Sequence, residues 1–199
     1  MTKQVSIKVY EANELGQEAL EQAMFKYICN SQPDWVDEDI ESFRSFAEHL
    51  GGKIDYAVSD NSTPGDHAKI IMDEVYYYSD RHGDFFPIDS DMKNEKLMEY
   101  LEDHFPESLE YFNGYCTDES LIGVVRDFMK IMKNPKTKNN GYYKDYTLDD
   151  LLKDVSDKFL EIGQAEYQYF QTKEHFLEMA ECNDWTFLED GTFFRGEPS

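Results

Sequence analysis

Positive charge is scarce in this sequence. Its 199 residues carry 19 Lys and Arg against 42 Asp and Glu, a formal net charge of −23. Affinity for nucleic acid comes largely from neutralising phosphates with Lys and Arg, so direct nucleic-acid binding is not expected. An anionic membrane surface would repel the chain for the same reason. Long apolar runs are missing too. None approaches the roughly 18 residues of a membrane-spanning helix, and the opening MTKQVSIKVYE lacks the apolar region of a secretory signal. Neither a membrane span nor a signal peptide is expected. Cysteine is sparse: Cys29, Cys116 and Cys182 are odd in number, far apart, and form no Cys-x-x-Cys pair. That pattern fits reduced thiols in a cytoplasmic protein rather than a disulfide framework. Internal repeats and interior low-complexity linkers are absent, so the length reads as one domain, 1–199, with a helical subregion at 91–182.

What the chain does have is aromatic content, at 15%. Acidic disordered chains lack such residues, so a packed core is expected. Residues 3–10 alternate, with Val5, Ile7 and Val9 on one side, and predict a strand. Leu20, Ala23, Met24, Tyr27 and Ile28 recur at helical spacing, as do Val36, Ile40, Phe43, Ala47 and Leu50 before Gly51 and Gly52. Residues 53–60 alternate again. The stretch 68–78 predicts a returning strand, although three consecutive apolar residues there also suit a helix. From Ser79 to Ser90 the chain is polar and rich in turn residues. Helices are expected over 91–104, briefly after Pro106, from Thr117 or Asp118 to Pro135, from Thr147, and from Thr172 to about Cys182. Thr147 with Asp150 three residues on has the form of a capping box. Asp190–Gly191, between alternating residues, predicts a hairpin. The whole reads as α+β: a small antiparallel sheet with five to seven amphipathic helices. That sheet is expected to join the N-terminal strand, the middle pair and the C-terminal hairpin.

Acidic residues are clustered. Asp37, Glu38, Asp39 and Glu41 fill four of five positions, and nine acids lie between Asp84 and Glu110 against Lys93 and Lys96. Glu95, Glu99, Glu102 and Asp103 follow helical spacing and are expected to share a solvent face. Acids at i and i+4 lie about 6 Å apart along a helix axis, comparable with phosphate spacing along one strand. Such a face can present charge to a protein groove built for DNA or RNA. A charge run is ordinarily a solvated surface, and the global −23 is what favours a binding role. Tyrosines and phenylalanines interleave with the acids, among them Tyr76, Phe85, Tyr100, Tyr111 and Tyr115. Those not spent in the core would suit a protein interface, where aromatics are enriched. One segment runs against the trend: Arg126, Lys130, Lys133, Lys136, Lys138 and Lys144, opposed only by Asp127. It is expected to pair with the protein's own acids, or with those of a second copy in a homodimer, while a small anionic ligand stays open.

Signals for chemistry are weak, and no enzymatic activity, cofactor or metal is expected. His82-Gly83-Asp84 has the His-x-Asp spacing of a facial metal triad, with His104 or His175 as candidates for the second histidine. Asp89 to Asn94 begins like a calcium loop but offers Lys93 and Asn94 where an oxygen ligand and a glycine are needed. Phosphate-binding, zinc-protease and nucleophile-elbow motifs are absent.

Tyr10, Glu14, Leu15, Ala19 and Ala23 form Y-x-x-x-E-L-x-x-x-A-x-x-x-A after a short strand. With the Trp185–Phe194 hairpin, this pattern resembles a family of phage-encoded proteins of poorly described function. The resemblance covers the two ends of the chain, implies a phage origin and supplies no catalytic residues. Size, charge and aromatic content are similar to phage DNA-mimic inhibitors of restriction and CRISPR systems. The expectation is therefore a phage anti-defence inhibitor in the host cytoplasm. Asp37, Glu38, Asp39, Glu41, Glu95, Glu99, Glu102 and Asp103 would meet a host defence protein with a basic nucleic-acid-binding groove. The alternatives are an antitoxin-like neutraliser that recognises shape and, remotely, a metal-dependent enzyme built on the His-x-Asp site.

Overall fold

The computed structural model describes residues 6–31, 36–57, 67–72, 75–79, 84–88, 91–109, 111–134 and 146–194. The fold is α+β, with six α-helices and short antiparallel strands among these residues. Chain contacts divide it into two compact units: a terminal unit, 1–33 with 165–199, and a central unit, 34–164. The helical subregion expected at 91–182 crosses this division.

The terminal unit begins with β1 (Tyr10–Glu11), a single 3-10 turn (Ala12–Glu14) and α1 (Gln17–Asn30). The central unit opens on α2 (Val36–His49), which ends where Gly51 takes a φ of 68°. It continues with β2 (Gly52–Ala57), β3 (His67–Met72), β4 (Val75–Ser79), β5 (Asp84–Ile88), α3 (Asn94–His104) and α4 (Cys116–Lys133). Then α5 (Leu148–Phe170) carries the chain from the central into the terminal unit. There α6 (Lys173–Cys182), β6 (Thr186–Phe187) and β7 (Phe193–Phe194) complete the fold.

Three predicted elements take a different form. Residues 3–5 of the expected N-terminal strand, Val5 included, lie outside the described residues, and among the rest only Tyr10 and Glu11 pair, with the two residues of β6. Ile7 and Val9 consequently remain 55% and 38% exposed. The turn-rich 79–90 segment contains β5, paired with β4 in register from Val75↔Ile88 to Ser79↔Asp84. Pro87 disguises it; a two-stranded ribbon leaves an edge on which proline is tolerated. After Pro106 no helix forms among the described residues, only a turn closed by the Leu109 N–H on the Pro106 carbonyl at 2.9 Å.

The sheets are also partitioned differently. β1, β6 and β7 form one three-stranded sheet, whereas β2–β3 and β4–β5 are separate pairs. The middle pair therefore does not extend the N-terminal strand. In β3 the alternation settles the ambiguity of 68–78: Ile70 is buried and Ile71 exposed, as a strand requires.

The central core gathers Phe43, Phe46, Leu50, Leu97, Tyr100, Leu121, Val125, Leu151 and Phe159. Phe43 and Phe159 stack with ring centroids 4.3 Å apart, joining α2 to α5. The buried Tyr100 hydroxyl donates to the Leu50 carbonyl at 2.8 Å, satisfying its one polar atom. The start of α5 is tied to the approach to α3 by the Leu148 N–H on the Met92 carbonyl at 2.8 Å.

The terminal core is smaller: Ala12, Leu20, Ala23, Phe176, Ala180 and Phe187, with Tyr27 and Trp185 against it. Tyr27 lies 5.2 to 5.7 Å, centroid to centroid, from Phe170, Phe176 and Trp185. The hairpin that closes it is a three-residue loop. The Leu188 carbonyl accepts from the Gly191 N–H at 2.9 Å, and the Thr192 carbonyl accepts from the Leu188 N–H at 2.8 Å. Gly191 has a φ of 77°. A three-residue loop that ends on a left-handed glycine is a common hairpin geometry.

Candidate functional site

The expected partner surface belongs to α2 and α3, both in the central unit. Helix α2 is placed by two contacts to the region around the start of α4. The Thr117 hydroxyl donates to Asp39 Oδ1, and Ser45 and Asn113 exchange hydrogen bonds at 3.1 and 3.2 Å. Asp118 holds the turn before α4: one of its carboxylate oxygens accepts the N–H groups of Phe112, Asn113 and Gly114 at 2.7 to 3.0 Å. Neither Thr117 nor Asp118 caps α4 as expected. Tyr115 is the N-cap residue, and both polar side chains are buried one turn inside.

This arrangement sorts the α2 acids. Asp37 and Glu38 are exposed. Asp39 is only 7% exposed and spent on Thr117, so it does not present its charge to a partner in this conformation. Glu41 is half-exposed and ion-paired with Arg44 on the next turn. The acids in the first turn also answer the partial positive charge of the helix N-terminus. All six α-helices carry at least one such acid. Part of the acidic excess therefore has a local structural use.

On α3 the expected common solvent face breaks up. Glu95 and Asp103 are exposed, but Glu99 is 5% exposed. The cause is packing on more than one side, since α3 meets both α4 and β4. Glu102 is partly covered and pairs with Lys133 at 3.0 Å. The basic segment is thus partly absorbed by the protein itself. Lys130 pairs with Asp127 at 2.9 Å, and Arg126 donates to the Leu109 carbonyl. Lys136, Lys138 and Lys144 lie outside the described residues.

Sequence spacing did not single out how two tyrosines combine with the α2 acids. Tyr111 is 49% exposed and Tyr115 is 36% exposed, on the turn that Asp118 organises. The Asp39–Thr117 and Ser45–Asn113 bonds set this turn beside α2. The result is a surface of exposed carboxylates with exposed phenol rings on the neighbouring element.

The chemical candidates fare as follows. His82, Asp89 and Ser90 lie outside the described residues, so the His-x-Asp and calcium-loop readings rest there. His104 belongs to the central unit, where its Nδ1–H donates to the Tyr100 carbonyl at 2.8 Å and its backbone carbonyl accepts from His49. Burial lowers its pKa against the opposing effect of the Tyr100 carbonyl. His175 belongs to the terminal unit, where its Nε2 shares a hydrogen bond with the Tyr27 hydroxyl at 3.2 Å. Its pKa is also lowered by burial, against an opposing pull from Glu178. Among the described residues, no group of three or more His, Cys, Asp and Glu side chains is placed to hold a metal ion. Nor is any described helix long and apolar enough to cross a membrane.

Comparison with protein-family models, with curated proteins and with solved structures gives no match to this chain.

Proposed function

We propose that this protein is a phage-encoded inhibitor, without catalytic activity of its own, that binds a host defence protein in the host cytoplasm. The target class is a nuclease, restriction enzyme or CRISPR-type effector with a basic nucleic-acid-binding groove. One observation carries the reading: exposed Asp37 and Glu38, with half-exposed Glu41, stand on a helix pinned beside exposed Tyr111 and Tyr115. The net charge of −23 would speed encounter with a basic groove. The tyrosines would then hold the complex, as aromatic anchors do at protein interfaces. Glu95 and Asp103 extend the acidic surface. Asp39 positions α2 through Thr117 and is not a contact residue in this reading.

The test is capture of partners from a bacterial lysate on the immobilised protein, followed by elution with salt or with duplex DNA. A nucleic-acid enzyme released by both, and lost from an Asp37→Lys/Glu38→Lys/Glu41→Lys variant, is the expected result. A partner retained at high salt and indifferent to charge reversal would overturn mimicry in favour of an antitoxin-like neutraliser that recognises shape.

A further inference from the structure

A second surface feature lies wholly in the terminal unit and is independent of the acidic face of α2. Between the 3-10 turn and the end of α6 there is an open cavity of ≈ 420 Å³. This falls within the range of about 300–1,000 Å³ usual for small-molecule sites. Ala12, Leu177, Ala180 and Trp185 contribute the apolar part of its lining. Glu11, Glu181 and Asp184 also line it, and among the described residues no Lys or Arg does. None of these three carboxylates makes an ion pair among the described residues.

The end of α6 places two of the acids and the indole. Its C-terminus is a Schellman motif: the Trp185 N–H donates to the Ala180 carbonyl at 2.8 Å, and the Asp184 N–H donates to the Glu181 carbonyl at 3.2 Å. The left-handed position of that motif ordinarily holds glycine. Here it holds Asp184, with a φ of 52°. The motif fixes Trp185 against Ala180 while the helix end puts Glu181 and Asp184 at the same mouth.

We propose that this cavity binds an organic cation, an alkylammonium or guanidinium group, seated on Trp185 between the carboxylates of Glu11, Glu181 and Asp184. An aromatic face attracts such a cation through its quadrupole. Carboxylates can accept its N–H bonds in charge-assisted form. The apolar part of the lining suits the methylene stem that carries the charge. The cation can belong to a free polyamine or to a Lys or Arg side chain of a bound protein; the chemistry at the cavity is the same.

The measurement is titration of Trp185 fluorescence in the full chain carrying Trp35→Phe, which leaves Trp185 as the remaining tryptophan. The probes are putrescine, spermidine, and the acetylated amides of lysine and arginine, with butanol as the uncharged comparison. A saturable change with the cations and none with butanol is expected. Glu181→Gln with Asp184→Asn should weaken binding by about tenfold or more, as loss of charge-assisted partners does. Asp149→Asn with Asp157→Asn, which removes the same charge from exposed residues that do not line the cavity, should change it less than about twofold, as solvent-screened charges do. Tighter binding of the free amines points to a polyamine, and tighter binding of the amino-acid amides to a protein side chain. No saturation, equal binding of butanol, or equal weakening by both variant pairs would overturn the proposal. The last outcome would mean that amines merely collect around a polyanion.

Discussion

Asp118 sits in the first turn of α4 with no exposed surface, and one oxygen of its carboxylate serves three consecutive backbone N–H groups. Asp118→Ala strands those donors and should cost about 2 kcal/mol in urea unfolding, as loss of a charged acceptor does. Asp118→Asn keeps one acceptor oxygen and should cost less. Ser42, equally buried, has a hydroxyl with no hydrogen-bond partner among the described residues. Ser42→Ala should therefore be neutral or slightly stabilising, because it removes a buried polar group that gains nothing from its surroundings. Two residues of the terminal unit make a matched pair of opposite sign. Asp184 holds a left-handed backbone without being glycine, so Asp184→Gly should stabilise by about 0.5–1 kcal/mol. It should also weaken cation binding, since it removes one of the cavity's carboxylates. Gly191 is left-handed too, and a Cβ there would run into the backbone carbonyl of Ala19. Gly191→Ala should therefore destabilise by more than about 2 kcal/mol, since backbone rather than a movable side chain blocks the space.

At the scale of elements, the helices were the legible part of the sequence. A repeating apolar stripe states its own period, so α1, α2, α3, α4, α5 and α6 all lie close to where the pattern puts them. End signals were readable where the side chain bonds to its own helix. Thr147 and Asp150 do form the reciprocal cap: the Thr147 N–H donates to the Asp150 carboxylate at 2.9 Å, and the Asp150 N–H to the Thr147 hydroxyl at 3.3 Å. Thr172 likewise accepts the His175 N–H at 3.2 Å. Thr147→Ala should cost about 1 kcal/mol by urea unfolding. Unchanged stability would mean that the Lys93–Thr147 backbone bridge, not the side chain, fixes this end. Signals failed where the side chain bonds outside its own helix. Thr117 and Asp118 have the composition of caps, yet one binds Asp39 on α2 and the other the preceding turn. Strand partition was equally hidden, because short strands carry no mark of which neighbour they will pair with. The acidic surface was half legible for the same reason. Spacing along α3 gives the angle of Glu99 about its own axis, and only the packing of α4 and β4 decides that this angle is covered. The cavity at the end of α6 left no sequence signal, since its lining comes from both ends of the chain.

For the whole molecule, charge sets how stability should respond to solution conditions, and the responses separate by pH. Burial lowers the pKa of both His104 and His175, so the folded state disfavours their protonation more than the unfolded state does. Stability from this source is complete above the unfolded histidine pKa of about 6.5 and is lost as pH falls from there through the lowered folded values. His175 adds a reason of position, because it lies in the first turn of α6, where the helix end repels a cation. Between pH 7 and 5 a His175→Gln variant should show a flatter stability profile than the parent. Asp190 acts lower. Its pKa is held down mainly by the Thr192 N–H, so its contribution stands above the unfolded carboxylate range and disappears as pH falls through the lowered folded value. Against both runs the net charge of −23, whose self-repulsion is strongest at neutral pH and low salt. Ion pairs such as Lys130–Asp127 and Lys158–Glu161 are exposed or half-exposed and salt-screened, and pairs of that kind contribute little. Raising salt at pH 7 from about 10 mM to 500 mM shortens the screening length from about 30 Å to a few ångströms. It should therefore remove more repulsion than attraction and raise Tm, by about 2–4 °C for each kcal/mol released. The same salt should release a captured partner with a basic groove. A protein that becomes more stable while its complex becomes weaker is the signature expected of an acidic surface kept for binding. A fall in Tm would instead show that the acids are held mainly by their own lysines and helix ends.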